Sequence, residues 1–129
     1  MRIRDIMTEN PLTVDSDTSI FDAKRIMKEK NIRRLPVVDK GKLVGMVTER
    51  MILEASPSPA TSLSIHELHY LISKMKVKEI MVEPPPIVNE DTKISVLNSL
   101  IMYYPILIVA KKGEFVGVVT KSDLLSRIV

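Results

Sequence analysis

Apolar and polar positions follow the same order twice along the chain. In residues 20–27 the apolar side chains recur at the spacing of a helix that buries one face, and residues 94–101 repeat this spacing. After each helix come two β-rich runs, LPVVDKGKLVGMVT (35–48) and ILIVAKKGEFVGVVT (106–120). Each pair of runs turns at a Lys-Gly step. The pattern therefore predicts a helix followed by a β-hairpin in each half of the chain.

The segments that flank these elements complete a common unit. PLTV (11–14) and PPIV (85–88) predict short extended segments behind prolines. Thr18 or Ser19 is a suitable N-cap for the first helix, and Thr48 and Thr120 each open a second helix after the hairpin. Each half is thus predicted as β-α-β-β-α, and the fold class is α+β.

Direct alignment of the two halves shows an internal repeat, which decides the architecture. Residues 5–23 match residues 79–97, and residues 41–53 match residues 113–125. We predict a first repeat over 1–58, a connector over 59–76 and a second repeat over 77–129. In the connector region, Ser56-Pro57-Ser58-Pro59 predicts a loop, and Ser64-x-x-Glu67 predicts a capped helix.

Composition and charge exclude several classes of function. The 129 residues include no cysteine, which excludes disulfides, thiol catalysis and cysteine-ligated zinc. The net charge of +3 is spread along the chain and does not favour nucleic-acid binding. No stretch approaches the about 18 apolar residues of a membrane helix. MRIRDIMTEN at the N-terminus has no apolar signal region, so we predict a cytoplasmic protein with no membrane segment.

The sequence offers no set of catalytic groups. No nucleophile, base and oxyanion donors occur together, and the four glycines form no phosphate loop or dinucleotide fingerprint. HELH (66–69) places two histidines three residues apart, without the spacing of a zinc-protease helix and without a third ligand nearby. We therefore predict a non-enzyme with no catalytic cofactor and no metal.

Both repeats carry the series I-M-x-x-x-P-x-x-V, a helix, a hairpin beginning L-P-V-V-D or its counterpart, and G-x-x-h-G-h-V-T (h, apolar). This series resembles a tandem pair of cystathionine-β-synthase (CBS) domains, or Bateman module. Residues 54–81 also resemble the CBS portion of acetoin-utilisation B-type proteins. The resemblance implies repeats packed sheet to sheet with pseudo-two-fold symmetry, and a homodimeric disc of four CBS repeats. It also implies clefts for AMP, ADP, ATP or S-adenosylmethionine, and regulation of a protein that the sequence does not identify.

The resemblance assigns one complete nucleotide cleft. The second repeat supplies T-x-x-D, with the threonine at a helix N-terminus for phosphate and the carboxylate for the ribose hydroxyls. The first repeat supplies its first extended segment as a wall for the base and the basic residues before its L-P-V-V run. The predicted nucleotide-binding residues are Thr120, Lys121, Ser122, Asp123, Ile32, Arg33, Arg34, Pro36, Leu12, Thr13 and Val14.

The other predicted cleft is degenerate. Met51 occupies the place of the ribose-binding aspartate, and tyrosines replace the arginines. A methionine leaves ribose hydroxyls without an acceptor, which costs roughly 1–3 kcal/mol when they are buried. Three alternatives stay open for this cleft: it is empty, it is filled by Tyr103 or Tyr104, or it is adapted to a different ligand. The residues of this cleft are Thr48, Arg50, Met51, Ile87, Val88 and Tyr104.

Two structural interpretations remain open beside the nucleotide site. Thr120-x-x-Asp123 is also a plain capping box, and Arg33 and Arg34 also suit a solvated helix end. The sequence is therefore compatible with two functions: a regulatory module that senses an adenine nucleotide, and a structural dimerisation module that binds none.

Overall fold

The computed structural model describes residues 1–56 and 63–128. Its elements in chain order are β1 (Thr8–Glu9), α1 (Ile20–Lys30), β2 (Arg34–Asp39), β3 (Lys42–Thr48), α2 (Glu49–Ala55), α3 (Ile65–Lys74), β4 (Ile87–Asn89), α4 (Ile94–Ile101), β5 (Ile106–Lys111), β6 (Glu114–Thr120) and α5 (Lys121–Ile128). Short 3-10 turns occur at Ile3–Asp5 and Val77–Glu79. The predicted α+β class is confirmed, and the loop predicted at 57–59 lies outside the described residues.

The chain divides into two compact units by its internal contacts. We call Leu12–Glu83 the central unit, and Met1–Pro11 together with Pro84–Val129 the terminal unit. Each unit combines most of one repeat with the opening segment of the other repeat. We call residues 1–11 the first leader and residues 77–83 the second leader. The repeat boundaries at 58 and 77 stay a prediction about the sequence, whereas the units are defined by packing.

The terminal unit contains a four-stranded sheet in the order β1-β6-β5-β4. β4 and β5 are parallel, while β6 is antiparallel to both β1 and β5. One face of this sheet and of the helices forms an apolar core of eight buried residues: Ile3, Ile6, Leu97, Ile101, Leu107, Val109, Val119 and Leu124.

The central unit repeats this order in a reduced form. β2 and β3 are an antiparallel pair, with a single parallel bridge from Val14 to Val37 and a single antiparallel bridge from Met46 to Val82. The core of this unit is formed by nine buried residues: Val14, Ile20, Ala23, Met27, Leu35, Val37, Val47, Ile52 and Val77.

A proline explains why the extended segment predicted at PLTV is only a bridge. In the terminal unit, the Ile108 N–H donates to the Pro86 carbonyl at 3.2 Å and extends the parallel pairing. Pro36 occupies the equivalent position in β2 and has no N–H to donate. The pairing there is limited to the two bonds from the Val14 N–H to the Pro36 carbonyl and from the Val38 N–H to the Val14 carbonyl.

The predicted helix starts are confirmed by their capping bonds. The Ser19 Oγ accepts from the Asp22 N–H at 3.0 Å and begins α1. The Thr48 Oγ1 accepts from the Met51 N–H at 3.2 Å and begins α2. The Ser64 Oγ accepts from the Glu67 N–H at 3.1 Å, so the connector contains the expected capped helix, α3. These side chains satisfy N–H groups that would otherwise lack partners at a helix start.

Each leader is attached to its unit by equivalent contacts. Ile3 and Val77 are completely buried, and their N–H groups donate to the Thr92 and Thr18 carbonyls at 2.9 and 2.8 Å. Among the side chains, Arg4 pairs with Asp91 in the terminal unit. The matching pair in the central unit joins Lys78 to Asp17 at 3.1 Å. The leaders are therefore integral parts of the two folded units.

Asp17, which pairs with lysines of the second leader and of its flank, has a lowered pKa. A hydrogen bond from the Lys78 side chain lowers the pKa of Asp17, and the charge of Lys76 at 3.4 Å adds to this effect. Both partners are exposed to solvent, so these pairs orient the leader more than they stabilise it.

Candidate functional site

The junction of β6 and α5 carries the predicted T-x-x-D residues in the terminal unit. The Asp123 Oδ2 accepts from the Thr120 N–H at 2.8 Å and from the Thr120 hydroxyl at 3.1 Å. In return, the Thr120 Oγ1 accepts from the Asp123 N–H at 3.3 Å. The capping-box interpretation of this motif is thus correct as a description of its geometry.

The capping box does not use all of the carboxylate. Oδ1 of Asp123 accepts no hydrogen bond from any residue that the structure describes. Lys121 and Ser122 form the first turn of α5 and are exposed, while Thr120 and Asp123 are half-buried. The junction therefore offers one free carboxylate oxygen beside a helix N-terminus, where the backbone favours anions.

The basic residues predicted for the same nucleotide lie in the central unit, at the start of β2. α1 ends at Asn31, whose left-handed conformation (φ 53°) reverses the chain toward Ile32. Arg33 is held through its carbonyl, which accepts from the Glu49 N–H at 2.9 Å. Within the described parts of the chain, neither the Arg33 nor the Arg34 guanidinium has an ion-pair partner. Both remain available to an anion.

The predicted base wall is also in the central unit. The Val14 N–H donates to the Pro36 carbonyl at 3.1 Å, so the structure brings these two predicted residues together. Val14 and Pro36 are buried, whereas Leu12 and Thr13 are exposed. The complete predicted set is thus divided: four residues lie in the terminal unit and seven in the central unit.

The residues of the degenerate cleft are also divided between the units, but here the helix-start residues lie in the central unit. Thr48, Arg50 and Met51 lie in the central unit, where Thr48 is the cross-strand neighbour of Arg34. The Met51 N–H reaches the Thr48 Oγ1, but its side chain has no oxygen to return a bond or to accept from a ligand. Arg50 pairs with Glu54 at 3.1 Å. The terminal unit contains the remaining residues of this set: Ile87, Val88 and Tyr104.

The two histidines of HELH lie on α3 and are exposed. The His69 ring lies 6.4 Å from the Phe21 ring, between centroids, at a tilt of 57°. Among the described residues, no three His, Cys, Asp or Glu side chains are grouped as metal ligands. In the same part of the chain, no helix combines the length and the apolar character needed to cross a membrane.

The structure also contains a groove between α1 and α3 that the motifs did not indicate. It is lined by α1, by α3 and by Ser56 after α2. The sequence does contain an indication of this groove. Phe21, Lys24 and Lys28 are spaced three and four residues apart and so share one face of α1, but we assigned this face no role.

Two β-α-β-β-α repeats, each ending in a threonine-capped helix, define a tandem CBS pair. The chain belongs to the CBS domain family, since the family model "CBS domain" matches residues 3–58 and 77–129. A CBS domain-containing protein of Dictyostelium discoideum is 32% identical over 98% of this chain and 90% of its own length. Other curated relatives are longer: the chain spans 23% of the inosine-5'-monophosphate dehydrogenase of Korarchaeum cryptofilum.

Solved structures give the same result. The acetoin utilisation protein AcuB of Vibrio cholerae is 26% identical, with a TM-score of 0.81, over 99% of this chain and 90% of that one. CBSX2 of Arabidopsis thaliana, solved with AMP, is 27% identical with a TM-score of 0.78 over 98% and 95%. The CBS pair of protein MJ0100, solved with 5'-methylthioadenosine and S-adenosyl-L-methionine, is 29% identical with a TM-score of 0.74 over 99% and 94%.

Proposed function

We propose that this chain is a regulatory module that binds an adenine nucleotide, or S-adenosylmethionine, with residues of both CBS repeats. The observation that carries the proposal is the difference between the residues three positions after Thr120 and Thr48. Asp123 has a free carboxylate oxygen beside the start of α5, whereas Met51 offers no acceptor beside the start of α2. Related CBS pairs solved with AMP or S-adenosylmethionine support the ligand class.

Each group has a distinct role in this proposal. The ribose hydroxyls donate to Asp123, which gives charge-assisted hydrogen bonds. The phosphate or other anionic group accepts from the first turn of α5 and from Arg34, with Arg33 beside it. The base lies against Leu12, Thr13 and Val14. These residues come from both repeats, and a bound ligand regulates a partner only if it binds one conformation of the protein more tightly than another.

Replacing Asp123 by alanine is expected to weaken nucleotide binding by about tenfold or more, because each hydrogen bond to a charged group contributes about 1.5–3 kcal/mol. Isothermal titration calorimetry with AMP, ADP, ATP and S-adenosylmethionine measures this change and identifies the ligand. The matched control is Met51→Ala at the equivalent position, which is expected to leave the affinity unchanged. Unchanged affinity in Asp123→Ala would refute the assignment.

A specific observation favours a second function. The Asp123 carboxylate already accepts two hydrogen bonds in its own helix cap, so a purely structural role accounts for its geometry. A structural dimerisation module would form a stable homodimer by light scattering and show no rise in melting temperature with any nucleotide. A nucleotide that binds the folded chain must raise this temperature, so one thermal-shift series separates the two functions. The homodimer, the cytoplasmic location and the regulated protein stay predictions.

A further inference from the structure

The groove between α1 and α3 lies wholly within the central unit. We call it the α1–α3 groove. Seven residues line it: Phe21, Lys24, Arg25, Lys28, Ser56, His69 and Ile72. Its volume is about 280 Å³, just below the range of roughly 300–1,000 Å³ in which most ligand pockets fall. None of these residues belongs to the nucleotide set, so the groove is a separate feature of the molecule.

The walls of the groove are largely apolar. Phe21 from α1 and the His69 ring from α3 approach each other at one wall, and 47% of Phe21 is exposed. Ile72, one helical turn after His69, also lines the groove and packs against the core of the central unit. The hydrocarbon stems of the lysines extend the apolar surface. An apolar chain or ring placed here would remove this surface from water.

The fully charged side chains that line the groove are all basic. Lys24, Arg25 and Lys28 all come from α1, and no acidic side chain is among the lining residues. Arg25 is engaged by Asp22 at 3.5 Å and Glu29 at 3.8 Å. Within the described residues, neither Lys24 nor Lys28 has an ion-pair partner. Two ammonium groups without an ion-pair partner in this part of the chain therefore lie one helical turn apart beside an apolar wall.

We propose that the α1–α3 groove binds an acyl carboxylate of medium chain length. The chain lies against Phe21 and Ile72, and the carboxylate accepts from the Lys24 and Lys28 ammonium groups. The size of the groove suits a single chain of this length. A nucleoside fits this chemistry poorly, because the groove has no carboxylate to accept from ribose hydroxyls. The proposal is independent of the nucleotide site.

Calorimetry with decanoate tests the proposal, with decanol as the neutral ligand of equal chain length. Decanoate is expected to bind about tenfold or more tightly than decanol, because only the carboxylate engages the lysines. In the Lys24→Glu, Lys28→Glu double variant, decanoate affinity is expected to fall by about tenfold or more. The matched control is the Lys30→Glu, Lys42→Glu double variant, which changes the net charge equally at two exposed positions outside the groove.

Amide chemical shifts of the unmodified chain give a second measurement that needs no variant. Decanoate is expected to perturb residues of α1 and α3 around the groove. The absence of decanoate binding, equal affinity for decanol, or perturbations confined to the terminal unit would each overturn the proposal. An equal loss of affinity in the control variant would also overturn it, because the attraction would then come from net charge alone.

Discussion

Replacing Ile3 by alanine is expected to lower the free energy of unfolding of the terminal unit by about 2–5 kcal/mol, although this residue is close to the chain end. Termini are usually tolerant because they are poorly packed. Ile3 is different: it is completely buried in the terminal core with Leu97, Leu107 and Val119. Removing three of its side-chain carbons leaves a cavity that rigid β-strands cannot fill. Urea unfolding followed by circular dichroism measures the loss.

A control in the same leader distinguishes packing from a general effect of the terminus. Glu9→Ala changes an exposed side chain on β1 and is expected to shift stability by less than about 0.5 kcal/mol. Val77→Ala makes the equivalent change in the second leader and is expected to destabilise the central unit. If Ile3→Ala and Glu9→Ala had equal effects, the first leader would not be part of the folded terminal unit.

Replacing Gly117 by alanine is expected to destabilise the terminal unit by about 1–3 kcal/mol through overpacking. A Cβ at this position would lie 2.5 Å from the Thr8 carbonyl oxygen and 3.3 Å from the Met7 Sδ. Because the nearest atom is backbone, β1 must move away from β6 and loses its pairing at Glu9 and Gly117. Hydrogen exchange of the β1 and β6 amides, together with thermal unfolding, reports this separation.

Gly45→Ala is the matched variant in the central unit. Its Cβ would meet the Met81 Sδ at 2.6 Å and the Val82 carbonyl oxygen at 3.1 Å. A methionine side chain is flexible and can move, so the expected loss of stability is smaller than at Gly117. A Gly117→Ala protein as stable as the unmodified chain would show that the leader is not in close contact with β6.

The sequence predicted the regular elements well because both repeats follow simple periodic rules. The helix of residues 20–30 is specified by its apolar spacing and by the Ser19 cap, and the hairpin turns are specified by Lys-Gly steps. Gly45 and Gly117 lie inside strands where a neighbouring backbone approaches closely, which is typical of a glycine in a strand. These features depend on neighbours within a few residues, which a local pattern can describe.

Features that depend on distant residues could not be predicted in this way. Residues 1–11 open the first repeat in sequence, yet Ile3 packs with Leu97 and Leu107 of the second repeat. The amphipathic pattern shows that Ile3 is apolar but not which repeat buries it. Similarly, the effect of Pro36 on the pairing of Val14 requires knowledge of which strands are neighbours.

The sequence predicted the capping box at Thr120 and Asp123, but it could not predict how much of the carboxylate the capping box uses, and the nucleotide-binding set stays a prediction. The motif T-x-x-D is compatible with both a helix cap and a ribose acceptor, and the structure shows that the cap uses one carboxylate oxygen and leaves the other free. The α1–α3 groove was missed because its walls come from two helices that are distant in sequence, with β2, β3 and α2 between them, and only packing places Phe21 beside His69.

Each leader packs in the unit formed mostly by the other repeat, and this affects the order in which the two units can fold during synthesis. Residues 1–11 are synthesised before β5 and β6, the strands that bury them. The first leader must therefore stay unburied at Ile3 and Ile6 until β6 has been synthesised. The second leader is made after the strands and helices that bury it and can dock at once. The central unit can thus complete its fold as soon as the second leader has been synthesised, whereas the terminal unit needs elements from two distant parts of the chain.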